Sequence, residues 1–270
     1  MTERLDADVI RAQLTTRVVG RSLEVHATLD STNTRAVSLA RAGAADGTVV
    51  LAEEQTAGRG RLGRQWHAPP GSALLMSLLL RPPLRPPQAQ RVTMICSLAV
   101  LRALGAVCSL EARIKWPNDI VIADAKLGGV LTELGVRAGR LDYVVVGIGL
   151  NVNLDVSRLP RLASPATSLS SELGYLVSRP RLLLAYLQHV DDLYARLREG
   201  WSPRVAWRDA LATLGREVTV GLPEGTLHGV AEDVDDDGAL LLRTEDGGLQ
   251  RVLAGDVTLR GTHPSRGGAS

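Results

Sequence analysis

From Gly215 onward the chain changes character. REVTVGL, TLHGVAEDV, GALLLRT, LQRVLAG and DVTLR are short β-type runs separated by glycine and aspartate turns. A segment of roughly fifty residues built this way reads as a small all-β barrel. It cannot share one periodicity with what precedes it, where long helical and strand patterns mix. The chain is therefore read as an α+β domain with a barrel appended, over residues 1–213 and 214–262, with 263–270 (HPSRGGAS) as a disordered tail. Its 270 residues, 45% of them hydrophobic, suffice for one large core and one small one.

Within the first unit, residues 3–14 read as an amphipathic helix and Ser22–Leu29 as a strand. Asp30-Ser31-Thr32-Asn33 is a cluster of preferred N-cap residues ahead of TRAVSLARAG, a helix that stops at Gly43. TVVLAEEQ is a β-branched strand. Gly58–Gly71 carries four glycines, two prolines and three arginines in fourteen residues and reads as a mobile loop. Ala73–Leu80 is a buried strand, broken from the helix Arg91–Val107 by RPPLRPP. Ala112–Trp116 and Asp119–Ala123 flank a turn at Pro117-Asn118. Lys126–Leu134 and Tyr143–Asn153 form a hairpin, and a polar stretch at 154–168 leads to the helix Pro180–Arg198.

Composition excludes several classes. The apolar runs Ala73–Leu80 and Tyr143–Leu150 fall far short of the ~20 residues of a membrane span. The N-terminus lacks a secretory apolar segment. Cys96 and Cys108 fall on one helix about 18 Å apart, too far for a disulfide. The five histidines show no paired metal-ligand spacing. A soluble, cytoplasmic protein is expected. Net charge is only +2, but its distribution is uneven. No acidic residue lies between Glu54 and Glu111, where Arg59, Arg61, Arg64, Arg81, Arg85, Arg91 and Arg102 all fall. Glu232, Asp233, Asp235, Asp236 and Asp237 crowd one later loop, read as a solvated turn.

Four motifs carry chemistry. Gly58-Arg59-Gly60-Arg61-Leu62-Gly63 matches the dinucleotide fingerprint letter for letter, but RQWHAPPG follows it, and Pro69-Pro70-Gly71 cannot begin the helix that fingerprint needs. Its glycines still allow close backbone approach to an anion, and its guanidiniums suit phosphates. Lys115-Trp116-Pro117-Asn118-Asp119 presents polar groups at a strand end, or is an ordinary turn. Lys126-Leu127-Gly128-Gly129 and Gly147-Ile148-Gly149-Leu150-Asn151-Val152-Asn153 each place two glycines in a strand, marking a bulge or a close approach to the backbone.

The order STN, EEQTAGRGRLGRQW, KWPND, KLGG, GIGLNVN resembles the biotin–protein ligases (biotin–[acetyl-CoA-carboxylase] ligases) from about Ser22 to Asn153, and the barrel fits that family's C-terminal domain. The resemblance implies a class II aminoacyl-tRNA-synthetase-like catalytic fold with an SH3-like barrel. It implies activation of biotin by Mg²⁺-ATP to biotinoyl-5′-AMP, then transfer to a lysine of a biotin carboxyl carrier domain of an acyl-CoA carboxylase. Ser31 begins the STN motif with little chain before it, where many bacterial relatives carry a winged helix-turn-helix. The monofunctional type, without operator binding and as a monomer, is therefore expected.

By the same resemblance, Ser31, Thr32, Asn33 and Gln55 read the ureido ring. Arg59, Gly60 and Arg61 wrap the biotin carboxylate and the phosphate, with Lys126 also at the biotin carboxylate. Lys126, Arg61 and Lys115 stabilise the transferring charge. Arg64, Trp66, Lys115, Asn118 and Asn151, with Arg59 and Arg61, hold the nucleotide, Trp66 stacking on adenine. Asp119, aided by Asn118, holds the metal ion. The glycine-rich loop is expected to be disordered in the empty enzyme and to shield the mixed anhydride once closed. The other readings are a lipoate– or octanoate–protein transferase, a nucleic-acid module using the RG loop, and a biotin sensor without catalysis. A nucleic-acid module lacks the aromatic platforms it would need, with no Phe, four Trp and four Tyr in the chain.

Overall fold

A computed structural model describes residues 3–158, 165–222, 225–253 and 255–259. The first unit runs α1 (Ala7–Gln13), β1 (Leu23–Leu29), α2 (Thr32–Arg41), β2 (Thr48–Gln55), β3 (Ala73–Leu80), α3 (Gln90–Cys108), β4 (Arg113–Lys115), β5 (Asp119–Ile122), β6 (Ala125–Arg137), β7 (Arg140–Asn151), α4 (Leu169–Leu173), α5 (Arg179–Arg198) and α6 (Arg204–Asp209). The second unit is β8 (Glu217–Leu222), β9 (Gly225–Val234), β10 (Leu240–Thr244), β11 (Leu249–Val252) and β12 (Asp256–Leu259). The tail 263–270 lies outside the described residues, as do residues 159–164 of the polar stretch 154–168.

Seven strands form one sheet in the order β1-β2-β3-β7-β6-β5-β4, parallel only between β1 and β2. Side chains alternate between its faces with period two. On β3, Leu74, Met76, Leu78 and Leu80 enter the main core with α3 and α5. Leu79 packs against α2 on the opposite face, and Ala73 and Leu75 against Trp66. All eight residues of β3 are buried because both faces are covered. Each Leu-sized side chain so buried contributes about 1.5–3 kcal/mol, so this strand anchors both layers. Helix α3 with the turn before it (Pro86–Cys108) is long and apolar enough by composition to cross a membrane, which the sequence reading overlooked. In the fold it is a core helix, packed against α5 and the sheet.

The second unit is a five-stranded, wholly antiparallel sheet in the order β11-β10-β9-β8-β12, agreeing with the SH3-like expectation. It shares the main hydrophobic core through Val218, Val220, Ala231, Leu240 and Leu242. The acidic loop is not a free solvated turn. Asp233 pairs with Arg204 and Arg208 of α6, and Asp237 with Arg91 at the start of α3. Asp235 and Glu232 pair with Arg251 and Arg243 inside the unit. Trp116 completes the joint. It is buried, its indole N–H donates to Gly238 O (2.9 Å), and its backbone N–H donates to Thr213 Oγ1 (2.8 Å).

Other differences from the sequence reading are local. Helix α1 starts only at Ala7, because the Asp6 carboxylate accepts from Asp8 N and Val9 N and caps it there. The β6–β7 hairpin is longer than expected, since Ala138 (φ 49°) and Gly139 (φ 75°) turn the chain in two residues. Helices α4 and α6, of five and six residues, were not anticipated, being too short for a periodic signal.

Candidate active site

The site lies on the α2 face of the sheet. Register sets Ser77 of β3 opposite Gly147 of β7, and Gly147 opposite Leu131 of β6. The next row on that face is Leu75, Gly149 and Gly129, with Asp119 of β5 beyond. The two glycines of GIGLNVN leave the middle of this face without side chains. A β-carbon at 147 would sit 2.9 Å from Asn33 Cγ, and one at 149 would sit 2.6 Å from Trp66 Cε2. Asn33 and Trp66 occupy that space.

Asn33 belongs to the STN cluster, which starts α2 as the sequence indicated. Ser31 is the extended N-cap residue, and Ser31, Thr32 and Asn33 are all buried. Gln55, at the end of β2, reaches across the parallel β1–β2 pair. Its Oε1 accepts from Thr32 N (2.8 Å) and Thr32 Oγ1 (3.1 Å). Ser77, a lone hydroxyl in an otherwise apolar strand, donates to Asn33 Oδ1 (2.6 Å) and lies 2.8 Å from Thr32 Oγ1. The Asn33 amide donates to Glu133 Oε1 (2.9 Å) and Leu131 O (3.3 Å). Buried polar groups require such partners. Sequence reasoning missed Ser77 and Glu133, and the single serine in ALLMSLLL was the available signal for the first.

At the other end of the face, Lys126 Nζ sits 2.7 Å from Asp119 Oδ1 and 5.9 Å from the centroid of the Trp66 ring. A bulge delivers it there. Pairing shifts between Ile120 and Val121, so Val121 faces Lys126 while Ile120 faces Gly128. Leu127 turns fully into the core, and Lys126 gains the opposite face, which a regular alternation with buried Val130 would have denied it. Its backbone is pinned by bonds from Lys126 N to Pro165 O (2.8 Å) and from Thr167 N to Lys126 O (2.9 Å). Lys115 is the cross-strand partner of Asp119, on the face opposite buried Ile114 and Trp116, and the Trp116–Pro117 bond is cis.

The Gly58–Gly71 segment is not an open coil. Gly60 N donates to Arg64 O (2.7 Å) and Trp66 N to Gly58 O (2.9 Å). Between them a single 3₁₀ turn, Arg61–Gly63, puts Leu62 at φ 55° and out in solvent. Arg61 spans the two units, donating to Asn118 Oδ1 (3.1 Å) and to Gly255 O (3.1 Å), and Arg64 pairs with Asp256 of β12. Burial lowers the Arg61 pKa, and the charges of Asp256 and Asp119 oppose that shift. In this structure the segment is a hairpin clasped to the second unit. Its partners, Gly255 and Asp256, are about 190 residues away in sequence.

Arg59 departs from Arg61. Its guanidinium pairs with Glu133 (3.0 Å) and reaches Thr34 Oγ1 (3.4 Å), on the α2 side. Asn118 also donates to Val130 O (2.6 Å). Asn151 is buried, and its amide nitrogen donates to Thr167 O (3.0 Å). Trp66 covers Gly149, and its indole nitrogen is buried with no partner among the described residues. The acid-free arginine stretch is no open basic face. Arg59, Arg61, Arg64 and Arg91 are engaged as above, and Arg81 caps α2 at Ala40 O (2.8 Å) and Ala44 O (3.2 Å) while meeting Asp142. Five of the seven arginines in the acid-free stretch are thus engaged within the chain, which weakens the footprint on which a nucleic-acid reading relied.

The residues expected to act together thus converge into one site with two ends. One is a buried polar cluster at the start of α2, and the other a cationic group of Lys126, Lys115 and Arg61 around Asp119 and Asn118. Residues 25–151 match the model of the biotin/lipoate A/B protein ligase family, and residues 213–260 match the biotin protein ligase C-terminal domain. The bifunctional ligase/repressor BirA of Bacillus subtilis is 35% identical over 95% of this chain and 79% of its own length. The biotin–[acetyl-CoA-carboxylase] ligase of Mycobacterium tuberculosis is 36% identical over 94% of this chain and 95% of its own length. The biotin protein ligase of Aquifex aeolicus, solved in complex with biotin and ATP, superposes with a TM-score of 0.75 at 31% identity over 89% of this chain and 99% of that one. The chain belongs to the biotin protein ligase family.

Proposed function

We propose that this chain activates biotin with ATP and transfers it to a lysine of a biotin carboxyl carrier domain of an acyl-CoA carboxylase. Residues 1–213 would serve as the catalytic unit and 214–262 as the C-terminal unit. The carrying observation is the two-ended site, a buried polar cluster joined across two glycines to a lysine–aspartate pair and a clasped arginine. A carboxylate is a poor acyl donor, so the first step must replace its oxide leaving group. A biotin carboxylate oxygen attacks the α-phosphorus, the bond to the β-phosphate oxygen breaks, and pyrophosphate leaves. Charge accumulates on the α-phosphate, so what the protein supplies is position and positive charge.

In this reading Ser31, Thr32, Asn33 and Gln55 meet the ureido ring with alternating donors and acceptors. Gly60 and Arg61 face the carboxylate and phosphate, while Arg59, paired with Glu133, stands at the biotin end. Lys126 contacts the forming anhydride, with Lys115 as second cation. Trp66, Asn118, Arg64 and Asn151 bound the nucleotide. Mg²⁺ enters with ATP as the substrate complex. Asp119 supplies one carboxylate, and among the described residues no three His, Cys, Asp or Glu side chains form a metal cluster. A hard cation would therefore take its other oxygens from phosphate and water. In the second step the carrier lysine amine attacks the acyl carbon and AMP leaves. The Arg61 bond to Gly255 O keeps the hairpin over the anhydride and water away from it.

Monomer and a cytoplasmic location complete the proposal, the latter supported by two buried free thiols. The alternative acyl substrates are lipoate and octanoate. The named relatives support biotin. Pyrophosphate release should depend on biotin and Mg²⁺-ATP and should be unaffected by excess lipoate or octanoate. Release driven by lipoate and not by biotin would overturn the reading.

A further inference from the structure

Glu133 stands on the site face of β6, and no step of the reaction above uses it. Its Oε1 accepts from Asn33 Nδ2 (2.9 Å) and from Arg59 Nη2 (3.0 Å). One carboxylate oxygen thereby joins three segments distant in sequence: the first turn of α2, the base of the arginine hairpin and the middle of the sheet. It also decides how the Asn33 amide points. Glu133 and Leu131 O can only accept, so the NH₂ end must face β6, and Oδ1 is left for the Ser77 hydroxyl (2.6 Å). From Ser77 the contacts continue through Thr32 to Gln55. A row of polar groups in contact therefore runs from Arg59 to Gln55.

Glu133 is also well separated from the phosphate end. It lies four residues along β6 from Gly129, about 13 Å, and Gly129 is the position beside Lys126 and Asp119. The Arg59–Glu133 pair itself is half-exposed, at 50% and 36% for the two side chains, so solvent screens it and it can yield to a ligand.

We propose that Glu133 is a positioning residue of the biotin pocket: it fixes the Asn33 amide and clips Arg59 across the pocket mouth, so it governs biotin affinity and not ATP affinity. This rests on the biotin-ligase reading. The test uses the full chain, with biotin Kd from calorimetry without nucleotide and KM for biotin and ATP from pyrophosphate release. Glu133→Ala should weaken biotin about tenfold, the low end for a charge-assisted hydrogen bond. Glu133→Gln, which still accepts from Asn33 but carries no charge for Arg59, should weaken it about threefold. ATP KM should stay within about twofold and the thermal midpoint within a few degrees. On an Arg59→Ala background, Glu133→Gln should have no further effect.

Three results overturn the proposal: unchanged biotin affinity in Glu133→Ala, biotin and ATP constants rising together as the midpoint falls, or a Gln effect that survives without Arg59. Should Glu133→Ala fail to fold, the Gln variant and its double mutant decide alone. A wild-type chain that binds biotin but releases no pyrophosphate refutes the ligase reading, and the calorimetric series still decides Glu133. One that binds no biotin refutes both.

Discussion

Gly147→Ala adds one methyl group to the floor of the site, and its cost follows from the contacts already described. The new β-carbon would meet Asn33 Oδ1 first, with Cγ at 2.9 Å and Nδ2 at 3.2 Å, against about 3.5–4.0 Å for an ordinary carbon contact. Asn33 must retreat by about 1 Å, which takes its amide out of range of Ser77 and Glu133, now at 2.6 and 2.9 Å. Two net hydrogen bonds at about 1 kcal/mol each, plus at least about 1 kcal/mol of overpacking in a buried layer, give roughly 3 kcal/mol. For a chain of this size that lowers the thermal midpoint by about 6–12 °C. Biotin affinity should fall at least about tenfold, since the displaced amide belongs to the pocket. Gly105→Ala is the control. It is the same chemical change on α3, with nothing within 4 Å of the added carbon, and helix propensity makes it neutral or stabilising by up to about 1 kcal/mol. Differential scanning fluorimetry and a biotin titration read both. If Gly147→Ala matches the parent in midpoint and affinity, the packing argument for the glycine pair is wrong.

Three further outcomes are expected. Lys126→Met removes the cation paired with Asp119. Biotin-dependent pyrophosphate release should drop by about 10²–10³ while calorimetric biotin binding changes far less, and equal loss of both would refute a transition-state role. Arg61→Gly breaks the clasp to Asn118 and Gly255; free biotinoyl-AMP should appear in solution and bystander proteins should become labelled, and an adenylate retained as tightly as in the parent would show that the clasp does not shield it. Glu53 tests acid stability. Burial raises its pKa, but the Arg179 hydrogen bond and charge and the Leu5 N–H outweigh that and lower it overall. A carboxylate lowered in this way contributes stability above the ordinary Glu range near pH 4.5, and that contribution is lost as pH falls through the folded value. Urea unfolding from pH 7 to 3 should therefore lose less stability in Glu53→Gln than in the parent, and parallel profiles would contradict the assignment.

The parts of the fold legible in the sequence were those with long, uniform patterns. β3, β7, α3 and α5 carry apolar runs or helical stripes that local physics reads directly, and the STN, KWPND and KLGG motifs lie where turn and cap chemistry placed them. What remained hidden depends on partners far along the chain. The Asn33–Glu133 bond spans 100 residues and the Ser77–Asn33 bond 44. Neither Glu133 nor Ser77 has a local signature beyond its polarity within a strand. The glycines of KLGG pointed to a bulge or a close approach, but that the bulge turns Lys126 onto the site face is a pairing event between β5 and β6, which single-strand alternation does not reveal. The charge asymmetry misled for the same reason, because the acids that neutralise the arginine-rich stretch and the arginines that hold the acidic loop lie in other segments.

The most direct measurement supplies the chain with biotin, Mg²⁺-ATP and a purified biotin carrier domain, and maps the product by mass spectrometry. The account requires one biotinyl group on one carrier lysine, formed with stoichiometric pyrophosphate and AMP and absent when any substrate is left out. A carrier that stays unmodified while the chain still binds biotin, or that accepts a lipoyl group instead, would contradict it.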